Sequence, residues 1–126
     1  MVEVSDEDFQ NYITEAMASL PKEHIKRLEN VAILYEYDPT MEQRQKLALR
    51  NDQTLFGLYE GQPLSQRQGQ TRIFPDKITI FINPIRWSVN TLEQLKEQIR
   101  HTLWHEIAHY YGLNHGQIHQ LEGYQP

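Results

Sequence analysis

The sequence predicts an α+β domain: a small mixed sheet of three or four strands packed on one long helix, with further helices at the N- and C-terminal ends. Three observations carry this. Apolar residues recur at helical spacing from Leu92 to Ile107. Three short β-prone runs, Val31–Tyr37, Thr54–Glu60 and Lys77–Ile82, precede that helix and are separated by turn-forming residues. A further helical pattern opens the chain between Ser5 and Ser19.

Ser5 and Asp8 have the spacing of an N-cap and its partner, and Phe9, Ile13 and Met17 form one stripe of the helix that follows. Pro21 is suited to start a second short helix with Ile25 and Leu28 inward. His24 lies in it, remote in sequence from the other histidines, and reads as a surface side chain. Val31 to Tyr37 is apolar enough to suggest a central strand, broken by Asp38-Pro39-Thr40. Met41 to Leu49 has helical composition with a thin apolar stripe, so a short helix or an ordered loop is expected. Gly57 inside the second strand predicts a bulge or a close backbone approach. Gly61 to Arg72 is polar and rich in glutamine, which suits a surface connection. The third strand, Lys77 to Ile82, is closed by Pro84.

Asn90 or Thr91 caps the long helix, and Leu92, Leu95, Ile99, Leu103 and Ile107 are expected along its inner side, as far as about Tyr111. Its last turns read His105-Glu106-Ile107-Ala108-His109, then Tyr110-Tyr111-Gly112-Leu113-Asn114-His115. A helix turns about 100° per residue, so His105 and His109 project from one face and can share a metal ion. Zinc is the expected ion, one per chain, because it suits neutral imidazole nitrogen. Glu106 is badly placed to be a third ligand and well placed to take a proton from water. Gly112 readily adopts the left-handed conformation that ends a helix, and the turn it permits delivers His115 as the third ligand. His119, four residues on, is the alternative. His101 shares the face roughly, but three imidazoles over two turns span about 12 Å of rise, so it is assigned a supporting or surface role. A final short helix is expected from Gln117 to Gly123.

At 126 residues the chain suits a single domain, residues 1–126. Seventeen acidic against twelve basic residues give a net charge of −5, which disfavours a nucleic-acid surface. No apolar run approaches the ~20 residues that span a bilayer. The chain has no cysteine, hence neither disulfides nor thiolate ligands. Met1 to Asp8 is acidic and lacks the basic and apolar regions of a secretion signal, so a cytoplasmic location is expected.

HEIAHYYGLNH is similar to the motif of the zincins and, by its spacing, of their metzincin branch. Other stretches resemble one group, the small single-domain zincin-like metallopeptidases of bacteria. They are Leu20-Pro21, Leu28-Glu29-Asn30-Val31, Leu55-Phe56-Gly57-Leu58-Tyr59-Glu60-Gly61, Pro75-Asp76-Lys77-Ile78-Thr79-Ile80-Phe81 and Ile118-His119-Gln120-Leu121-Glu122. The resemblance runs in order over about residues 20–122. It implies a minimal zincin-like domain and a zinc-dependent peptidase, hydrolysing peptide bonds through a zinc-bound water with Glu106 as general base. It implies a peptide or protein substrate, held as an added strand at a sheet edge above the metal; Lys77 to Ile82 is the run to inspect for that edge, with an ordinary core strand as the alternative. Two features depart from the pattern. The metzincin methionine turn has no counterpart downstream of His115, and the small family often carries an acidic residue at that position. Tyr110, Tyr111 and Tyr124 are candidate hydroxyl donors near the motif. Two other functions remain open: a zinc-dependent regulatory or interaction protein with weak catalysis, and a zinc-dependent endoribonuclease with the same histidine spacing. Against the second, that family typically has glycine where Glu106 stands, and the chain is acidic.

Overall fold

Helix α1 spans Asp6–Ser19 and starts as its sequence predicts, with the Asp8 N–H donating to Ser5 Oγ at 3.1 Å. Asp6, Glu7 and Asp8 place negative charge at the positive end of the helix dipole. Phe9, Ile13, Ala16 and Leu20 are buried, while Met17 is only partly so. Pro21 then stands at the N-cap of a single-turn helix, α2 (Lys22–Ile25). The computed structural model describes residues 1–26, 28, 30–52, 54–61 and 76–112. The glutamine-rich connection beyond Gly61 and the C-terminal helix expected over 117–123 lie outside them.

Three strands form the sheet of the described residues: β1 (Val31–Glu36), β2 (Gly57–Glu60) and β3 (Asp76–Phe81), in the order β1-β3-β2. β1 runs parallel to β3, and β2 antiparallel to it. The sheet is therefore mixed, as expected, and its order among the described residues corrects the expectation that β1 is central. β1 has no fully buried residue and turns Leu34 outward at 42% exposure. β3 is central instead, with Ile78, Thr79, Ile80 and Phe81 all inaccessible to solvent or nearly so. A strand covered on both faces needs a run without a solvent-facing alternate, and Ile78 to Phe81 is closer to that than β1. With both its edges already bonded, β3 has no free edge to offer a peptide.

Between β1 and β2 lies α3 (Met41–Lys46), closed by a full capping box in which Thr40 Oγ1 accepts from the Gln43 N–H and Gln43 Oε1 accepts from the Thr40 N–H. After β3 the chain enters a helix not expected from the sequence, α4 (Ile82–Ser88). Pro84 does not merely end the strand; it sits in the first turn of α4, where its missing N–H costs nothing. The Asn83 N–H donates to Tyr37 O at 3.0 Å and its side chain to Asp38 Oδ2 at 2.7 Å, which pins α4 to the end of β1.

The long helix α5 spans Leu92–Tyr110, with Thr91 as N-cap accepting from the Gln94 N–H. Leu95, Ile99, Leu103 and Ile107 are completely buried against α1 and the sheet. Burial of side chains this size stabilises by roughly 2 kcal/mol each, so this stripe is what docks the helix. Leu92 was expected to join it but is 45% exposed, being in the first turn, ahead of the region that meets the core. Trp104 and Ala108 widen the stripe instead. Among the described residues, no helix is long and apolar enough to cross a membrane.

Candidate metal centre

The docking of α5 decides where its histidines go. With Leu103 and Ile107 turned into the core, His105 and His109 fall on the flank of the helix, half-buried beside the cleft that separates α5 from β2. Their rings lie 4.8 Å apart, centre to centre, at 73° to each other. One donor atom from each, with a carboxylate oxygen of Glu106, forms a group whose members are all within 4.8 Å of one another. Two imidazoles bound to one zinc at about 2.0–2.1 Å have nitrogens roughly 3.3 Å apart, so small side-chain rotations bring this pair to ligating distance. Two neutral imidazole nitrogens on adjacent turns are donors that zinc prefers, and the Glu106 carboxylate lies close enough to reach a water on the ion. The residues fit the ion.

Glu106 is only 7% exposed. The Tyr59 N–H of β2 donates to its Oε1 at 2.8 Å. Burial pushes its carboxyl up from the usual 4.5 to about 7, and the Tyr59 hydrogen bond opposes that shift only in part. Its other oxygen, Oε2, takes no hydrogen bond among the described residues.

β2 comes this close because Gly57 has no side chain. A Cβ at that position would sit 2.6 Å from Thr102 Cγ2 and 3.3 Å from Glu106 Cγ on α5, and 3.2 Å from the Thr79 carbonyl. The close approach predicted from the internal glycine is therefore real, and it is what delivers the Tyr59 N–H to the carboxylate. Tyr59 is held in turn through its hydroxyl, which donates to the buried Asp76 Oδ2 at 2.6 Å. A backbone amide has no letter in a sequence, so nothing there pointed to Tyr59; Gly57 was the one available signal.

The cleft has a volume of about 380 Å³, with Leu55, Phe56 and Gly57 on one wall and His101, Thr102, His105 and Glu106 on the other. His101 is exposed, its ring 6.4 Å from that of His105, and belongs to the wall of the cleft rather than to the donor group. Gly112 has φ of 84°, the left-handed turn expected at the end of α5. His115, His119 and Tyr124 lie beyond it, outside the described residues. Tyr110 is fully buried and packs edge-on against Tyr59, 6.1 Å between ring centres, so it serves the core. The Tyr111 hydroxyl donates to the carbonyl of His24. His24 is not the surface side chain expected: its ring lies 5.1 Å from Trp104, half-buried between α2 and α5.

A family model described as zincin-like metallopeptidase matches residues 28–124. No curated protein matches the chain. Among solved structures, a conserved hypothetical protein from Thermus thermophilus is similar in fold, with a TM-score of 0.55 at 14% identity. That alignment covers 96% of this chain and 100% of the other.

Proposed function

The chain belongs to the zincin-like metallopeptidase family, and on that premise we propose that it is a zinc-dependent peptidase with Glu106 as its general base. The observation that carries this reading is the group of His105, Glu106 and His109 donors within 4.8 Å of one another at the wall of an open cleft. In this reading His105, His109 and His115 hold the ion, and the protein acts on peptide or protein substrates in the cytoplasm. When bound, zinc supplies a Lewis acid for the scissile carbonyl and makes water nucleophilic near neutral pH.

The remaining steps belong to the chain. A peptide lying in the cleft between the Leu55–Gly57 wall and α5 brings its carbonyl to the histidine flank of the helix. Glu106 Oε1 is committed to the Tyr59 N–H, so Oε2 takes the proton of the attacking water. The carboxyl then passes that proton to the leaving amide nitrogen as the C–N bond breaks. In the metal-free protein burial raises the Glu106 carboxyl to about 7, and a cation held beside it would draw that value down toward the carboxylate that a base requires. The Tyr59 N–H keeps Oε1 fixed while this happens, limiting the reorganisation that the transfer requires.

The test is cleavage of a peptide library by the zinc-reconstituted protein and its Glu106→Gln variant. The variant should hold zinc like the parent and lose at least about a hundredfold in kcat, the lower range for removal of a general base. Undiminished cleavage by Glu106→Gln would remove Glu106 from the mechanism. A parent that holds zinc but cuts nothing would favour a regulatory protein built on the same centre.

A further inference from the structure

The cleft at Glu106 does not end at its own walls. Thr54 and Phe56, which form one side of it, also line a neighbouring depression of about 480 Å³ with Asp38, Pro84 and Trp87. A third, of about 500 Å³, meets the cleft at Gln98 and His101 and meets the second at Ser88. The three are contiguous from the histidine flank of α5 to the outer face of α4.

At the far end stands Trp87, 63% exposed. An exposed indole forgoes the burial of a large apolar surface. This one is also pre-oriented. Asp38 Oδ2 accepts from the Asn83 side chain at 2.7 Å, Asn83 Oδ1 accepts from Arg86 Nε at 2.9 Å, and the Arg86 guanidinium lies 5.6 Å from the Trp87 ring centre. A large aromatic ring held in place at low entropic cost is the kind of group that dominates binding energies at interfaces.

We propose that these depressions form one extended polypeptide-binding groove, in which Trp87 anchors an apolar side chain of the substrate outside the cleft where the bond is cut. The lining favours a polypeptide. Phe56 and Trp87 offer apolar faces, with the exposed Thr54 among the lining residues. Ser88 Oγ and Gln98 Nε2 already donate to Ile85 O and Thr102 Oγ1, which leaves their oxygens to accept from a main-chain N–H. The Asp38 carboxylate is engaged by Asn83 and the Glu97 carboxylate by Arg100 at 3.7 Å, so the groove selects for apolar residues more than for charge. Continuity with the cleft commits the occupant to the chain whose peptide bond reaches Glu106. This inference rests on the peptidase reading, and binding is therefore measured apart from turnover.

The probe is a fluorescein-labelled, disordered peptide of about sixteen residues, ~50 Å when extended, with leucine and phenylalanine at regular intervals; a control replaces them by alanine. Zinc-reconstituted Glu106→Gln protein is titrated into each and anisotropy is read. The apolar peptide should bind and the control should not. Adding Trp87→Ala should weaken Kd at least about tenfold, a modest value for loss of an aromatic anchor. Trp87→Phe should restore most of the affinity. Met41→Ala removes an apolar side chain that is 72% exposed and outside the groove, and should change nothing. The inference is overturned by no binding of the apolar peptide, by equal binding of the control, by an unchanged Kd in Trp87→Ala, or by the same loss in Met41→Ala. Self-association in sedimentation that Trp87→Ala abolishes, without peptide binding, would assign the face to a second copy instead. Failure of the parent to cleave a peptide that it binds through Trp87 refutes the peptidase reading and leaves the groove standing.

Discussion

In the metal-free protein, Glu106→Gln should raise stability at pH 8 and have almost no effect at pH 4. Burial holds the Glu106 carboxyl at about 7 in the fold, against 4.5 when it is free in water. The folded state therefore keeps the proton over an interval in which the unfolded chain has lost it. The stability of the parent must fall as pH rises from about 4.5 to about 7, and level off above that. The interval corresponds to roughly 3 kcal/mol at about 1.4 kcal/mol per pH unit, and little of it is screened because the side chain is 7% exposed. Glutamine is the neutral isostere and still accepts from the Tyr59 N–H, so it escapes the cost of a buried charge. For a chain of 126 residues, 3 kcal/mol is about 10 °C in Tm. Thermal unfolding by circular dichroism, in chelator and from pH 4 to 8, should show the two Tm curves diverging through this interval. Added zinc should close the gap by stabilising the carboxylate in the parent. Equal Tm values at pH 8, or a gap of the same size at pH 4, would refute burial of the charge as the cause.

Other substitutions probe the packing that makes the site. Gly57→Ala should destabilise by about 1–3 kcal/mol in urea unfolding, because its Cβ meets Thr102 Cγ2 at 2.6 Å. Thr102→Ser removes that methyl and should recover part of the loss in the double variant; no recovery would mean that the Thr79 carbonyl sets the limit. Leu103→Ala, in the buried stripe of α5, should cost about 2–5 kcal/mol while the folded fraction still binds zinc. Ser5→Ala should cost about 1 kcal/mol, seen as a lower Tm with unchanged zinc content, through loss of the α1 cap.

Much of this fold was legible because its signals are local. Ser5 caps α1 as its spacing predicts, Thr91 is the one of the two candidates, Asn90 and Thr91, that caps α5, and Leu95, Ile99, Leu103 and Ile107 face the core as their spacing requires. The metal pair was legible for the same reason, since i, i+4 spacing alone puts His105 beside His109. What local pattern lacks is partnership. The apolar run of β1 suits a central strand as well as an edge, and only pairing with β3 on one side decides between them. Pro84 is compatible with the end of a strand or the first turn of a helix, and both occur here within three residues. His24 read as solvated because nothing in its own helix reveals Trp104, eighty residues later, as its neighbour. The Tyr59 N–H, which orients the proposed base, was invisible, and Gly57 marked only that some close approach takes place.

Zinc per chain, by elemental analysis of untagged protein, tests the central claim most directly. The parent should carry about one equivalent after reconstitution and dialysis, and His109→Ala should carry almost none while remaining folded, because it removes half of the i, i+4 pair. His115→Ala, measured in parallel, should also lose the ion; a full equivalent in that variant would remove His115 from the ligand set. A parent without zinc, or a His109→Ala variant that retains a full equivalent, would contradict a metal centre built on His105 and His109.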